Sequence, residues 1–292
     1  IKYPTFLIKS VYLAIKTIRD NKIDMVIDEI HGLPFFSPLY SKARNVLLVC
    51  EVGGEIWDKM WPFPINIVGK ILEKFVYFIY RNTEIWAISN NTKKDILNIN
   101  PELKIKILPL GIDTKPMPKV SKFNYPSAVF LGRIVKMKGI ESTIASAIEI
   151  KKELNNFVLY VIGDGNPEYI NSLNAPSYVK FLGRLSDNDR NKVLAKCHFL
   201  IHPSYKEGFG LTVLEAGILG TPTIGRSGSS LDELIIDKKT GLLFNNNSRI
   251  PPLVAEYIDK YKYKVIRSKT FERSLEYNLE NVLVKSRIIT NI

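Results

Sequence analysis

The amino-acid sequence predicts an α/β protein made of two parallel-sheet units, on three observations. Short β-branched runs alternate with longer helix-period segments through most of the chain, the order that parallel sheets with crossover helices produce. A polar stretch with two prolines interrupts the alternation at residues 111–119, after which it restarts. The length of 292 residues suits two domains of roughly 100–200 residues each.

The elements follow in order. A helix-like start covers residues 5–20, and residues 24–28, 45–49, 85–88 and 104–108 read as strands. Residues 89–98 read as a capped helix, because Ser89 and Asn91 offer side-chain oxygens to its first amides. The most apolar stretch, residues 65–80 (INIVGKILEKFVYFIY), is interrupted by Lys70, Glu73 and Lys74 and falls short of the ~20 apolar residues of a membrane span. Its first reading is a helix buried in the domain. Its second is an interfacial helix, with charged positions on one side and aromatics on the other. The linker divides a first domain of residues 1–118 from a second of residues 119–292. In the second, strands are expected at 128–131, 157–162, 179–182, 199–201, 223–224 and 241–244, with helices over 140–153, 187–196 and 211–219. Two Rossmann-like units in tandem result.

Composition narrows the function. Hydrophobic residues at 46% and charged residues at 24% exclude a disordered chain. Cys50 and Cys197 are too few for a disulfide scaffold or a four-cysteine zinc site, and three histidines offer little for a metal centre, so no metal and no cofactor is expected. The net charge of +12 divides into +5 over residues 1–120 and +7 over the remainder, spread out rather than gathered into an arm. No zinc-finger spacing, basic heptad or aromatic-basic strand is present, so nucleic acid is not an expected partner. A phosphorylated ligand or an acidic membrane surface fits the charge. The sequence opens on Ile1 rather than Met, as a trimmed start or a fragment would, and no secretory signal or membrane span is expected.

Ligands of doubly wound sheets bind at the carboxyl ends of the strands, so the glycine-bearing loops there carry the chemistry. Gly132-Arg133-Ile134-Val135-Lys136-Met137-Lys138-Gly139 leads from a strand to a helix mouth, and its guanidinium and ammonium suit a diphosphate. Glu207-Gly208-Phe209-Gly210-Leu211 opens the next such helix, with Glu215 about one turn inside among Leu211, Val213, Leu214 and Ala216. A carboxylate at Glu215 needs a hydrogen-bonding partner or a hydroxyl-bearing ligand, because unpaired burial is expensive. Gly163-Asp164-Gly165 reads as a structural turn. His31 follows a strand, and neither His198 nor His202 is expected to act as a base.

These segments stand in an order that resembles the GT-B glycosyltransferases of family 4, the glycosyl transferases group 1 type. Gly132-Arg133 with Lys138-Gly139 is followed by Gly163-Asp164-Gly165, Phe181-Leu182-Gly183 and Pro203-Ser204. Glu207-x7-Glu215, Gly220-Thr221-Pro222 and Thr240-Gly241-Leu242-Leu243 complete the set. In the first part, Gly32-Leu33-Pro34-Phe35-Phe36-Ser37-Pro38-Leu39-Tyr40 and Glu55-Ile56-Trp57 resemble acceptor-side segments.

The resemblance implies two Rossmann-like domains facing a cleft and retaining, metal-independent transfer of a sugar from a nucleotide-diphosphate donor. It implies catalytic roles for Glu207 at the donor sugar and for Arg133 and Lys138 at the departing diphosphate. Gly132, Gly208, Phe209, Gly210 and Leu211 would line the donor, Glu215 would hold the ribose hydroxyls, and Arg184 and Leu185 would line the base. Cys50, Glu51 and His31 are the acceptor-side candidates. Cys50 stands where relatives commonly carry a histidine, and the family's opening strand and glycine-rich loop have no counterpart before Ile1, so the first domain is expected to be incomplete. Two readings therefore stay open: an active transferase with an unknown sugar, lipid-linked or other acceptor, and a catalytically impaired nucleotide-sugar-binding fragment. A nucleotide-sugar epimerase fits the Glu207-x7-Glu215 spacing less well. The expected location is the cytoplasm, with peripheral contact at the inner face of the membrane as a further expectation.

Overall fold

The computed structural model describes residues 3–30, 34–113, 120–245, 250, 254, 256, 258 and 260–286. His31, Gly32 and Leu33 and the linker residues 114–119 lie outside the described residues. Two compact units divide the chain, Ile1–Pro109 and Leu110–Ile292. Residues 111–113 of the expected linker are held by the second unit: the Ile112 N–H donates to Tyr277 O at 2.9 Å, and the Leu279 N–H returns to Ile112 O at 3.2 Å.

The first unit runs α1 (Tyr3–Asp20), β1 (Met25–Ile30), a 3-10 turn (Ser37–Leu39), β2 (Arg44–Val49), α2 (Ile56–Met60), α3 (Ile65–Ile79), β3 (Glu84–Ala87), α4 (Asn90–Ile99) and β4 (Ile105–Ile107). Its sheet is parallel in the order β1-β2-β3-β4. Leu47 and Val49 of β2, Ile85 and Ala87 of β3, Val76, Tyr77 and Tyr80 at the end of α3 and Ile96 of α4 form its core. Ser89 caps α4 as expected, its hydroxyl accepting from the Thr92 N–H at 3.0 Å. Buried Asp28 on β1 organises the following loop by accepting from the Phe35 N–H at 2.8 Å, the Ser37 N–H at 3.1 Å and the Tyr80 hydroxyl.

Helix α3 forms over the expected residues but does not bury its apolar stripe. Gly69, Val76 and Tyr77 face the core, while Ile67, Val68, Ile71, Leu72, Phe75 and Phe78 are exposed. Polar side chains anchor its inner side. The Glu73 carboxylate accepts from the Gly53 and Gly54 N–H groups at 2.6 and 2.9 Å, and Gly69 gives room to the Trp57 ring, which a Cβ there would meet at 2.2 Å. The expectation of a buried helix is thus corrected: Val76 and Tyr77, together with the amide-bound Glu73 and the Trp57 indole, fix which side faces inward, and the rest of the apolar stripe stays outside. Among the described residues, no helix is long and apolar enough to cross a membrane.

The second unit runs β5 (Ser127–Leu131), a 3-10 turn (Lys136–Lys138), α5 (Ile140–Glu153), β6 (Val158–Ile162), α6 (Pro167–Ser172), β7 (Val179–Gly183), α7 (Asp187–Lys196), β8 (Phe199–His202), α8 (Leu211–Ile218), β9 (Thr223–Arg226), α9 (Leu231–Leu234), β10 (Gly241–Phe244), α10 (Lys260–Leu275) and α11 (Leu279–Ser286). The sheet order is β10-β9-β8-β5-β6-β7, all parallel, with a change of direction at β5/β8. Ligand crevices form beside such reversals. Ala128, Phe130, Leu159, Val161, Phe199, Ile201, Ile224 and Leu242 fill one side of the sheet with α5 residues Ile140, Ile144 and Ala147. Val129, Ile162, Leu200, Leu194, Cys197 and Ala216 fill the other.

Candidate active site

The loops after β5, β6 and β7 are laced together by backbone bonds, with a close approach at Gly163 that leaves no room for a side chain. The Gly132 N–H donates to Ile162 O at 3.0 Å, the Ile134 N–H to Asp164 O at 2.8 Å and the Gly163 N–H to Gly183 O at 2.9 Å. A Cβ on Gly163, which sits at φ 142°, would stand 1.9 Å from Gly132 O. The Gly163-Asp164-Gly165 turn is tied into this backbone network. It sets the path of the Gly132-Arg133 loop.

That loop closes on the exit of β8. Gly139, left-handed at φ 75°, lies where a Cβ would meet Pro203 O at 2.7 Å, and the Tyr205 N–H donates to Met137 O at 3.2 Å. The approach carries Lys138 to Glu207: Nζ donates to Oε2 at 2.8 Å, with both side chains largely withdrawn from solvent. Glu207 Oε2 also lies 3.0 Å from Nε2 of His202, which is buried at the end of β8, and His202 Nδ1 lies 3.3 Å from the Thr212 hydroxyl at the start of α8. Burial by itself would raise the Glu207 pKa, but the bonds and charges of His202 and Lys138 outweigh it and hold the carboxylate down to about 2. The backbone beneath is clamped too, since the Ser230 hydroxyl reaches the carbonyls of Glu207 and Gly208 at 2.6 and 2.7 Å.

Gly210 heads α8 at φ 103°, where a Cβ would meet Leu231 at 2.7 Å. Phe209 turns inward against the edge of Tyr277, with ring centres 5.9 Å apart, so only its backbone is offered to a ligand. Leu211 is partly exposed, and while the Val213 N–H turns back to Gly210 O at 2.9 Å, the Leu211 and Thr212 N–H groups have no intrahelical acceptor, which favours an anion or hydroxyl there. Glu215 is half-buried on the outer side of α8. Arg190 of α7 stands 3.9 Å away but pairs more closely with Asp187 at 3.0 Å, and burial raises the Glu215 pKa. This carboxylate has the weakly satisfied setting that a hydroxyl-bearing ligand completes.

The remaining candidates divide. Arg133 is exposed and its guanidinium makes no ion pair or hydrogen bond among the described residues, although its backbone O accepts from the Val135 N–H at 3.0 Å; Arg184 is likewise exposed beyond the left-handed Gly183. Leu185 packs on the Ile162–Leu200 side of the sheet. In the first unit, Cys50 follows β2 and its thiol donates to Glu29 at 3.3 Å; burial, then the Glu29 carboxylate, pushes its pKa up to about 12. Exposed Glu51 follows it, and His31 lies outside the described residues. His202 is the residue that sequence reasoning passed over; its place five residues before Glu207, at a strand end, was the available signal. Arg226 was also missed. Its Nε donates to Pro203 O at 3.1 Å while its guanidinium covers the Tyr205 ring at 4.6 Å, bracing the same loop. Among the described residues, no group of three or more His, Cys, Asp or Glu is placed to hold a metal ion.

Comparison with known proteins bears on this geometry. The family model described as "Glycosyl transferases group 1" matches residues 113–264, which include every site residue of the second unit. An uncharacterized glycosyltransferase of Methanocaldococcus jannaschii is 28% identical over 178 residues, 60% of this chain and 48% of its own. A second from that organism is 27% identical over 266 residues, 85% of this chain and 66% of its own. The N,N'-diacetylbacillosaminyl-diphospho-undecaprenol alpha-1,3-N-acetylgalactosaminyltransferase of Campylobacter jejuni is 24% identical across 99% of this chain and 84% of its own. The chain thus spans about half to two thirds of the length of the first two of these relatives. Among solved structures, the sucrose-phosphate synthase of Thermosynechococcus elongatus matches with TM-score 0.78 at 17% identity, covering 97% of this chain and 77% of its own. Anabaena HepE in complex with UDP-glucose matches with TM-score 0.78 at 15% identity, covering 97% and 82%. These likenesses, with the two parallel sheets, establish the GT-B fold expected from the sequence.

Proposed function

Because the chain belongs to the glycosyl transferases group 1 family, we propose that it moves a hexose from a nucleoside-diphosphate sugar to a hydroxyl acceptor with retention of anomeric configuration, as a cytoplasmic reaction. The observation that carries this reading is the Lys138–Glu207–His202 cluster at the mouth of α8, one helical segment away from the half-satisfied Glu215. Glu215 accepts from the ribose hydroxyls, and the base lies along Arg184 and Leu185. The Gly132 turn and the amides of Gly208, Phe209, Gly210 and Leu211 receive phosphate and sugar oxygens.

In the reaction the bond from the sugar's anomeric carbon to the diphosphate oxygen breaks, and its electron pair leaves with the diphosphate. Arg133 and Lys138 offset that growing charge, each worth about 100-fold to 1,000-fold in rate for preorganised groups of this kind. Glu207 stays ionised beside the donor sugar because Lys138 and His202 hold it so, ready to accept from a sugar hydroxyl. The new bond forms from the anomeric carbon to the acceptor hydroxyl oxygen, whose proton passes to the departing diphosphate oxygen. The undecaprenol-linked acceptor in the name of the Campylobacter relative makes a lipid-linked acceptor the first class to test.

The test is incubation with UDP-glucose and a panel of other nucleotide sugars, following sugar release and product anomeric configuration by NMR. Turnover with a retained α-configuration supports the reading, and absence of binding to every donor contradicts it. Cys50 favours a second reading, a binding protein without turnover. Its thiol stays protonated and is engaged with Glu29, a poor stand-in for a hydrogen-bonding imidazole. Donor binding without any transfer or hydrolysis would single out that reading.

A further inference from the structure

Helix α3 is turned inside out relative to a surface helix. Its outward side carries Ile67, Val68, Ile71, Leu72, Phe75 and Phe78, with Ile71 at 60% and Phe78 at 56% exposure, and the preceding Phe63 at 78% and Trp61 at 46% extend the same apolar tract along the chain. A contiguous patch of this kind on a protein of net charge +12 has a missing neighbour. We infer that this face is a membrane-docking surface that seats on a bilayer containing anionic lipid, with α3 lying in the interfacial plane.

Charge decides between occupants. The carboxylates near α3 are turned away from the apolar side: Glu73 accepts from the Gly53 and Gly54 amides and the Trp57 indole N–H (3.3 Å), and Asp58 accepts from Asn66 at 3.0 Å and from Lys70. Lys70 is thereby neutralised, but two further cations are not withdrawn. Lys74 is exposed with no ion pair among the described residues, and Arg81 lies over the Phe78 ring at 4.0 Å at the end of the helix. An apolar face bordered by unpaired cations and lacking acidic groups matches acyl chains beneath anionic headgroups. A second copy of this chain would bring like charges together across the same face. Large exposed aromatics, Trp61 and Phe63 among them, suit the boundary between headgroup and acyl chain.

The inference stands apart from sugar transfer, since it reads binding to a bilayer and no donor. The full chain is mixed with vesicles of phosphatidylcholine and phosphatidylglycerol, or of phosphatidylcholine alone, and sedimented, beside the doubly substituted Ile71→Ser, Phe75→Ser chain and a Lys74→Gln chain. The account expects partition into anionic vesicles, at least about tenfold loss in the double variant with unchanged thermal stability, and a smaller, salt-dependent loss in Lys74→Gln. Three results would overturn it: a chain that stays in the supernatant, binding that survives the double substitution, or self-association that the double substitution abolishes while vesicles bind nothing.

Discussion

Helices α3 and α8 have similarly apolar sequences and dispose of them in opposite ways. On α8, Val213, Leu214, Ala216, Gly217 and Ile218 are buried, and the half-buried Glu215 is the charged side chain on its outer side. On α3, a carboxylate and an indole-filled glycine notch face the unit, and isoleucine and phenylalanine are offered outward. The difference teaches that hydrophobic periodicity identifies a face, while the partners of the polar residues decide where that face points. In α8 the polar residue is left for a ligand. In α3 the Glu73 carboxylate is consumed by backbone amides, and the apolar side chains are left over.

The largest effect to break this contrast is in the core of the second unit. Leu214→Ala should lower unfolding free energy by about 2–5 kcal/mol, whereas Ile71→Ala on α3 should stay within about 0.5 kcal/mol, both read from denaturant midpoints. Equal losses at the two sites would mean that α3 is covered within the unit. Gly163→Ala comes next. The added methyl would overlap Gly132 O at a left-handed position, and a stability loss of about 3 kcal/mol is expected, with donor binding weakened because the Arg133 loop shifts.

Within the site, Lys138→Met should reduce turnover about 100-fold to 1,000-fold. His202→Asn should act through Glu207, lowering turnover by a smaller factor while leaving nucleotide affinity near that of the unsubstituted chain. A steady-state series that instead moved only KM would contradict the positioning of Glu207. The smallest effect is on pH. Glu207 has an ordinary pKa of 4.5 when unfolded and a lower one, about 2, when folded. The unfolded chain therefore takes the proton first, and stability contributed by Glu207 is whole above pH 4.5 and drains away as pH falls toward 2. Glu207→Gln should flatten that acid limb of an unfolding-against-pH curve.

Much of the fold was legible in the order of strands and helices, because each strand of both units is a short run bounded by polar or glycine residues. The expected helices at 140–153 and 187–196 coincide with α5 and α7. Helices α6, α9, α10 and α11 escaped notice, as α6 and α9 are too short to show a period and α10 is charged around much of its surface. At the site, the loops carrying Lys138 and Glu207 stood out as glycine-bearing, charged segments after strands, and the resemblance supplied the roles of the two residues. Their contact did not, because it depends on Gly139 letting one loop touch another across the β5/β8 reversal. His202 was passed over for a related reason: its importance lies in where its ring is aimed, and a strand-end position leaves that undetermined until the following loop folds back.

The central claim, that the β5–β8 end of the second unit holds a nucleoside diphosphate, is tested most directly by calorimetric titration of UDP into the full chain and into the Glu215→Ala and Arg133→Ala variants. The account predicts saturable one-site binding that each substitution weakens about tenfold or more, as the loss of a charge-assisted hydrogen bond does. Binding of equal strength in all three proteins would contradict it.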